Sequence, residues 1–532
     1  MKKILYAVSG LQQWIDLAIK LRDELNWEPI YWLTTHQIEE NVKEEFPEIV
    51  HHDIYDANKD RYHKKYKGLT FPLDRDIIED FLSYEKNALK MMDRQDPYKA
   101  FTYHQRKRFY YSQLSYWLGV LGKEDIDICI FTESPHIVAH YICYAVCKYY
   151  NIDTIMFAPI TLPGLIYLKL NIEDKPKYKI TKGSSVRDID NEISNIIHAY
   201  IENYRQQQKK YDEPWYMQEQ RKKEAKLREK NKFIYKILKS WYKVFTRNGY
   251  QKIKKVLKNN FFSNGKVRSY IKSDKSSLEN SYITKKEKRS LRKKKYEKNK
   301  KLKSLYHEMC DEFNYENSSF IYFPLHYQPE RTTNPEGNYF ADQQLAINLL
   351  SYYLPEDWHL VIKEHPSQFV SHMQGYLGRT SDFYTDIKKL KNVKLVNENI
   401  DSMNLISASK AVSTLTGSAG LEALIKGKPV MVFGYAWYRD LPGTFCIQSQ
   451  KDCKNAIKSI KRGYKVEFQE VSKALLNIQK FFVKGYLNPS TKRSIDIHYE
   501  KHVNEMYRGI QSLIPYLNKE EKNLKKNSNT SF

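Results

Sequence analysis

Glycine and proline are scarce in this chain, 19 and 18 among 532 residues, which excludes collagen-like repeats and low-complexity linker composition for most of its length. Cysteine is scarcer still. The six, at positions 129, 143, 147, 310, 446 and 453, are scattered through apolar segments. A disulfide scaffold is therefore excluded. Cys143 and Cys147 stand one helical turn apart, but no second Cys or His pair completes a zinc set, so buried reduced thiols are expected and no metal. No apolar run approaches the roughly 20 residues that a spanning helix needs. The opening MKKILYAVSG has a basic pair and a short apolar run that soon meets Gln12, Gln13 and Asp16, so it reads as a strand and not as a signal peptide. A cytoplasmic protein, or one peripheral on the inner face of the plasma membrane, is expected.

Acidic residues are also in the minority. With 63 Asp and Glu against 88 Lys and Arg the formal charge is +25, which calls for an anionic partner: nucleic acid, a membrane leaflet or a polyanionic glycan. The hydrophobic share of 41% suffices for globular cores, while a mean hydropathy of -0.69 leaves part of the chain as solvated surface or extended helix. At this length two domains plus extra material are expected.

The first third alternates short apolar strands with amphipathic helices. Ile4–Val8 is a strand, Trp14–Leu25 a helix and Pro29–Leu33 a strand. Ile126–Phe131 is a strand again, Val138–Tyr150 a helix and Thr154–Phe157 a strand. The order predicts a parallel, doubly wound sheet over residues 1–203. Residues 204–303 change character and are read as a basic helical insertion, with Lys285–Lys303 almost wholly cationic. Within it Phe233, Ile234, Ile237, Leu238, Trp241, Val244 and Phe245 fall on one helical face flanked by Lys236, Lys239, Lys243 and Arg247. That pattern suits either a helix in a membrane interface or one packed on the body with a basic outer face. The α/β pattern returns over 304–518. Its strands are Phe320–Phe323, His359–Lys363, Val393–Leu395, Ala411–Thr414 and Pro429–Phe433, and its helices are Ala341–Leu350, Met403–Ser407 and Gly420–Ile425, followed by C-terminal helices. Residues 519–532 read as a polar disordered tail.

Three segments of the second unit fall just past strand ends, where ligands of such sheets bind. The first, Phe323–Glu330, sets His326, Gln328 and Glu330 among stiffening prolines. The second, Lys363-Glu-His-Pro366, places His365, fixed by Pro366, to contact an anionic phosphate. In the third, Ser413–Glu422, the small residues Thr416, Gly417 and Ser418 let backbone N–H groups approach a phosphate at the positive end of a helix. Glu422, one turn in, is placed to accept hydrogen bonds from a ribose.

These motifs, Gln328-Pro-Glu330, His365-Pro366 and the run from Thr416 to Pro429, resemble the capsule polysaccharide biosynthesis family, whose best-known members are 3-deoxy-manno-octulosonate (Kdo) transferases. The resemblance is specific over about 319–443 and general before it. It implies an α/β fold of the GT-B kind, with two Rossmann-like domains facing a cleft; the long basic helical insertion read from composition lies between them. It further implies a metal-independent glycosyltransferase with no cofactor and a nucleotide-sugar donor, CMP-linked, held by the C-terminal domain. In that reading His365 contacts the donor phosphate, Gln328 and Glu330 shape the pocket, and Thr416, Gly417 and Ser418 hold phosphate. The N-terminal half departs from the pattern: Met156–Gly164 has no carboxylate where Kdo transferases carry an acidic segment. The nearest acid is Glu133 in Phe131-Thr-Glu-Ser-Pro-His136, which serves either as general base or nucleophile or as a turn cap.

The expected function is transfer of a sugar to a growing capsule or other surface polysaccharide, with a glycan or lipid-linked glycan as acceptor and the inner membrane surface as a partner of residues 204–303. Two alternatives stand beside it: a CDP-alditol phosphotransferase of teichoic-acid type, and a basic membrane-associated scaffold. The basic tract contains no recognisable RNA-binding module, so no specific nucleic acid is expected.

Overall fold

The computed structural model describes residues 1–96, 101–175, 191–205, 266–268, 282–370, 373–488, 492 and 495–517. The aromatic segment around Phe233–Phe245 and the tail 519–532 lie outside the described residues.

The first unit is a seven-stranded sheet of order β15-β6-β5-β4-β1-β2-β3. Its strands are β1 Lys2–Ala7, β2 Trp27–Thr34, β3 Val50–Asp53, β4 Ile128–Phe131, β5 Asp153–Pro159, β6 Leu165–Lys169 and β15 Phe482–Lys484. The five strands β3, β2, β1, β4 and β5 are mutually parallel; at one edge β6 runs antiparallel to β5, and β15 pairs antiparallel with β6 and so returns to the common direction. Strands buried on both faces need unbroken apolar runs, and the core of β1, Ile4 to Ala7, is 0% exposed. A short pair, β7 Lys266–Arg268 and β8 Tyr282–Thr284, stands apart.

The second sheet has six strands in the order β11-β10-β9-β12-β13-β14, all parallel. They are β9 Phe320–Pro324, β10 His359–Lys363, β11 Val393–Val396, β12 Ala411–Thr414, β13 Val430–Val432 and β14 Thr444–Cys446. Both sheets are doubly wound, and they meet across a cleft: the GT-B arrangement of two Rossmann-like units. In each sheet the winding reverses once, between β1 and β4 in the first and between β9 and β12 in the second. Such switch points open a crevice at the carboxyl ends of the strands, the place where open α/β sheets bind ligands.

The units exchange elements, which boundaries at 203 and 518 do not convey. The helix Asn191–Arg205 packs Ile193, Ile197 and Ile201 into the core of the second unit, beside Leu424, Val471 and Leu475. In return β15 extends the first sheet, and the last long helix, Tyr499–Leu513, buries Val503, Met506 and Ile510 with Trp14, Leu17 and Leu21. An amphipathic pattern announces that a helix buries one face, not which sheet receives it.

Candidate functional site

Three loops converge at the carboxyl ends of the adjacent strands β10, β9 and β12. The loop after β10 is built around Glu364, which is fully buried. Its carboxylate accepts hydrogen bonds from Arg379 Nε at 2.9 Å, Tyr384 Oη at 2.6 Å and the backbone N–H of His365 at 2.8 Å. Its own N–H donates to Tyr306 Oη at 2.9 Å. A charge can be held there because each polar partner is satisfied inside the core. His365 then caps the short 3-10 turn Pro366–Phe369, its Nδ1 accepting from the N–H of Ser367 at 3.1 Å. A neutral imidazole accepting at Nδ1 carries its proton on Nε2, so the ring presents a donor on its other side. Burial, and then the charges of Lys363 and Arg379, push its pKa down to about 4.

His326 follows β9 and is buried. Its Nε2 lies 3.0 Å from Thr414 Oγ1 and accepts from the backbone N–H groups of Leu415 and Thr416 at 3.3 and 3.4 Å. Its carbonyl accepts from Arg379 at 3.0 Å. Gln328 is likewise committed, taking Gln368 Oε1 on its backbone N–H at 3.0 Å and donating to the carbonyl of Ala341 at 3.4 Å. The structure thus places His326 within the scaffold that shapes the loops, while Gln328, held by these bonds, also lines a cavity at the seam between the units.

After β12 the chain turns through Thr416 and Gly417 into the helix Ser418–Ile425. Gly417 precedes the helix without a side-chain cap, leaving first-turn N–H groups with no intrahelical acceptor. A Cβ on Gly420 would lie 2.3 Å from Tyr438 Oη, so that position needs the smallest residue, and one on Gly417 would fit tightly, 3.2 Å from the ring of His326. Glu422 is buried one turn into this helix, hydrogen-bonded to Ser418, and burial raises its carboxyl to about 7. Lys363 nearby donates to the carbonyl of Ile400 at 2.7 Å and to Ser402 Oγ at 2.5 Å, and burial lowers its ammonium to about 8.

Across the cleft, Glu133 sits just past β4, at the switch point of the first sheet. Its carboxylate lies 3.5 Å from Arg331 Nε and 3.7 Å from His136 Nε2. Arg331 comes from the second unit and also approaches Glu336 at 3.5 Å. Glu336 in turn accepts from Ser134 Oγ at 2.7 Å and stands 3.7 Å from Lys169 Nζ. Burial pushes the Glu336 carboxyl up, but Arg331, Lys169 and the Ser134 hydroxyl together hold it below the usual range. These charges bridge the two units. Beside them a cavity of about 330 Å³ is lined by Lys90 and Arg94 from the first unit and by Glu330, Gln344 and Arg379 from the second. Burial raises the carboxyl of Glu330 at its wall.

His365, Ser418 and Glu422 thus share the strand-end edge of the second sheet, while Glu330 turns toward the seam that holds Glu133. Sequence reading missed Arg331, Glu336, Arg94, Arg379 and Glu364. Glu364 alone left a signal, a carboxylate wedged between a buried strand and the His-Pro pair. Cys129, by contrast, joins Cys143 and Cys147: the three thiols are buried within 4.8 Å of one another, with no fourth Cys, His, Asp or Glu grouped with them among the described residues.

Residues 245–476, less than half the chain, match the family model described as capsule polysaccharide biosynthesis protein. The resemblance carried by Gln328, His365 and the Thr416–Pro429 run falls inside that match. The capsule polysaccharide modification protein LipA of Neisseria meningitidis serogroup B is 34% identical over 77 residues. That stretch is 14% of this chain and only 10% of that relative's length. Among solved structures, the beta Kdo 2,7 transferase KpsC of Thermosulfurimonas dismutans is 18% identical over 41% of this chain and 62% of that one, with a TM-score of 0.23. The calicheamicin glycosyltransferase CalG4 is 11% identical over 96% and 98% of the two chains, also with a TM-score of 0.23. No helix among the described residues is long and apolar enough to cross a membrane.

Proposed function

We propose that this protein is a metal-independent glycosyltransferase that moves a sugar from a CMP-linked donor to a growing capsule or related surface polysaccharide. The observation that carries the reading is the convergence of His365, the Gly417–Ser418 helix start and Glu422 at the switch-point edge of the second sheet, inside the segment that matches the capsule family. There His365 Nε2–H and the helix N–H groups bind the donor phosphate, and Glu422 takes the ribose hydroxyls. The acceptor, a glycan or lipid-linked glycan at the inner membrane face, enters from the first unit. Glu133 removes the proton of its attacking hydroxyl as a new bond forms at the anomeric carbon. The bond from that carbon to the phosphate oxygen breaks, and CMP departs with the negative charge that His365 and the helix start stabilise.

Product analysis tests this reading against phosphotransfer. Given a CMP-sugar and acceptor, the protein is expected to release CMP and yield a product that has gained the sugar and no phosphorus. A product carrying a phosphoryl-polyol, made from a CDP-alditol, would replace the glycosyltransferase reading with the phosphotransferase one.

A further inference from the structure

The helix Lys285–Met309 carries ten lysines and two arginines against three glutamates. One face is anchored to the second unit. Leu302 and Tyr306 are buried there, Asn299 Nδ2 donates to the carbonyl of Phe369 at 3.0 Å, and Tyr306 Oη bonds the carbonyl of Val396 at 2.5 Å. His307 reaches Glu398 at 2.8 Å. Lys295 Nζ lies 4.7 Å over the ring of Tyr376. The opposite face is exposed and cationic: Lys293, Lys294, Lys300 and Lys301 share it, with Glu297 as the acid between them, 3.8 Å from Lys293. Tyr296, 62% exposed, stands beside this row.

We propose that this outer face is the surface by which the protein docks on an anionic phospholipid membrane. The exposed lysines from Lys293 to Lys301 form a cationic row about 12 Å long on one helical face, which a planar anionic surface matches. An exposed tyrosine among lysines fits the headgroup layer, where a ring with a polar tip is favoured. The helix also touches the segment that holds His365. Asn299 binds Phe369 at the end of the His365–Phe369 turn, and Tyr306 Oη receives the N–H of Glu364. Docking therefore presents the strand-end edge of the second sheet at a defined height over the membrane, where a lipid-linked acceptor lies. The surface stands independently of the donor chemistry.

Vesicle co-sedimentation of the full chain tests it. The protein is expected to bind vesicles of phosphatidylcholine mixed with phosphatidylglycerol, to ignore phosphatidylcholine alone, and to release as salt rises. Changing Lys293, Lys294, Lys300 and Lys301 together to Glu is expected to weaken vesicle binding by at least about tenfold, with the unfolding midpoint and the nucleotide response unchanged. If that variant fails to fold, the same four positions changed to Gln are read by the same criterion. Vesicle binding at wild-type strength in the folded variant, or no vesicle binding by the wild type even where it binds a soluble anionic polysaccharide such as heparin, would overturn the proposal.

Discussion

Glu364→Ala is expected to destabilise the protein by about 3–5 kcal/mol and to remove its response to nucleotide. The carboxylate is fully buried and accepts from Arg379, Tyr384 and the N–H of His365. Removing it strands a guanidinium that is itself 4% exposed, and breaking one half of a buried ion pair is among the costliest single changes. For a unit of this size the loss corresponds to a fall of about 10 °C in melting temperature. Glu364→Gln, which keeps the shape and one hydrogen-bond acceptor, is expected to lose less. The two effects are linked because Glu364 fixes the backbone that aims His365. A melting temperature near the wild-type value for Glu364→Ala would show that the loop after β10 is not held in this way.

Glu422→Gln is expected to stabilise the protein at alkaline pH and not at acid pH. Its carboxyl rises from an ordinary 4.5 to about 7 on folding, chiefly through burial. The folded state therefore binds more protons than the unfolded one between those values, and stability falls as pH rises through that window. Above about pH 7 the penalty is fully present, on the order of 3 kcal/mol. Below about pH 4 both states are protonated and the penalty vanishes. Glutamine has no charge to desolvate, so melting curves of the variant should gain on the wild type at about pH 8 and converge with it at about pH 4. A wild-type protein that keeps a buried carboxylate unprotonated through neutrality, with no gain in the variant, would contradict this account. The ribose contact proposed for Glu422 would account for a buried carboxylate kept at such a cost to the fold.

Much of the second unit was legible because its strands are short, apolar and separated by small-residue turns. His359–Lys363 and Ala411–Thr414 are found at the expected bounds, and the other expected strands there within a residue or so. The positions past strand ends were equally readable, since a doubly wound sheet puts ligands there. Three things were not. Which of His326, Gln328 and His365 faces outward depends on hydrogen bonds between loops far apart in sequence, such as Gln328 with Gln368. The seam charges Arg331, Glu336 and Lys169 come from three segments and acquire meaning only when the units close on each other. The swap of Asn191–Arg205 and Tyr499–Leu513 between units hides behind ordinary amphipathic patterns.

A thermal-shift panel with CMP, CDP, UDP, GDP and dTDP, on the wild type and on His365→Ala, tests the donor site most directly. A cytidine nucleotide is expected to raise the melting temperature of the wild type more than the others do. At a hundredfold excess over its Kd the stabilisation should reach about 2.7 kcal/mol. His365→Ala should fold and lose that response, because the hydrogen bond its Nδ1 accepts caps only one short turn. No response to any of the five nucleotides, or an undiminished response in His365→Ala, would contradict the placement of the donor at this edge.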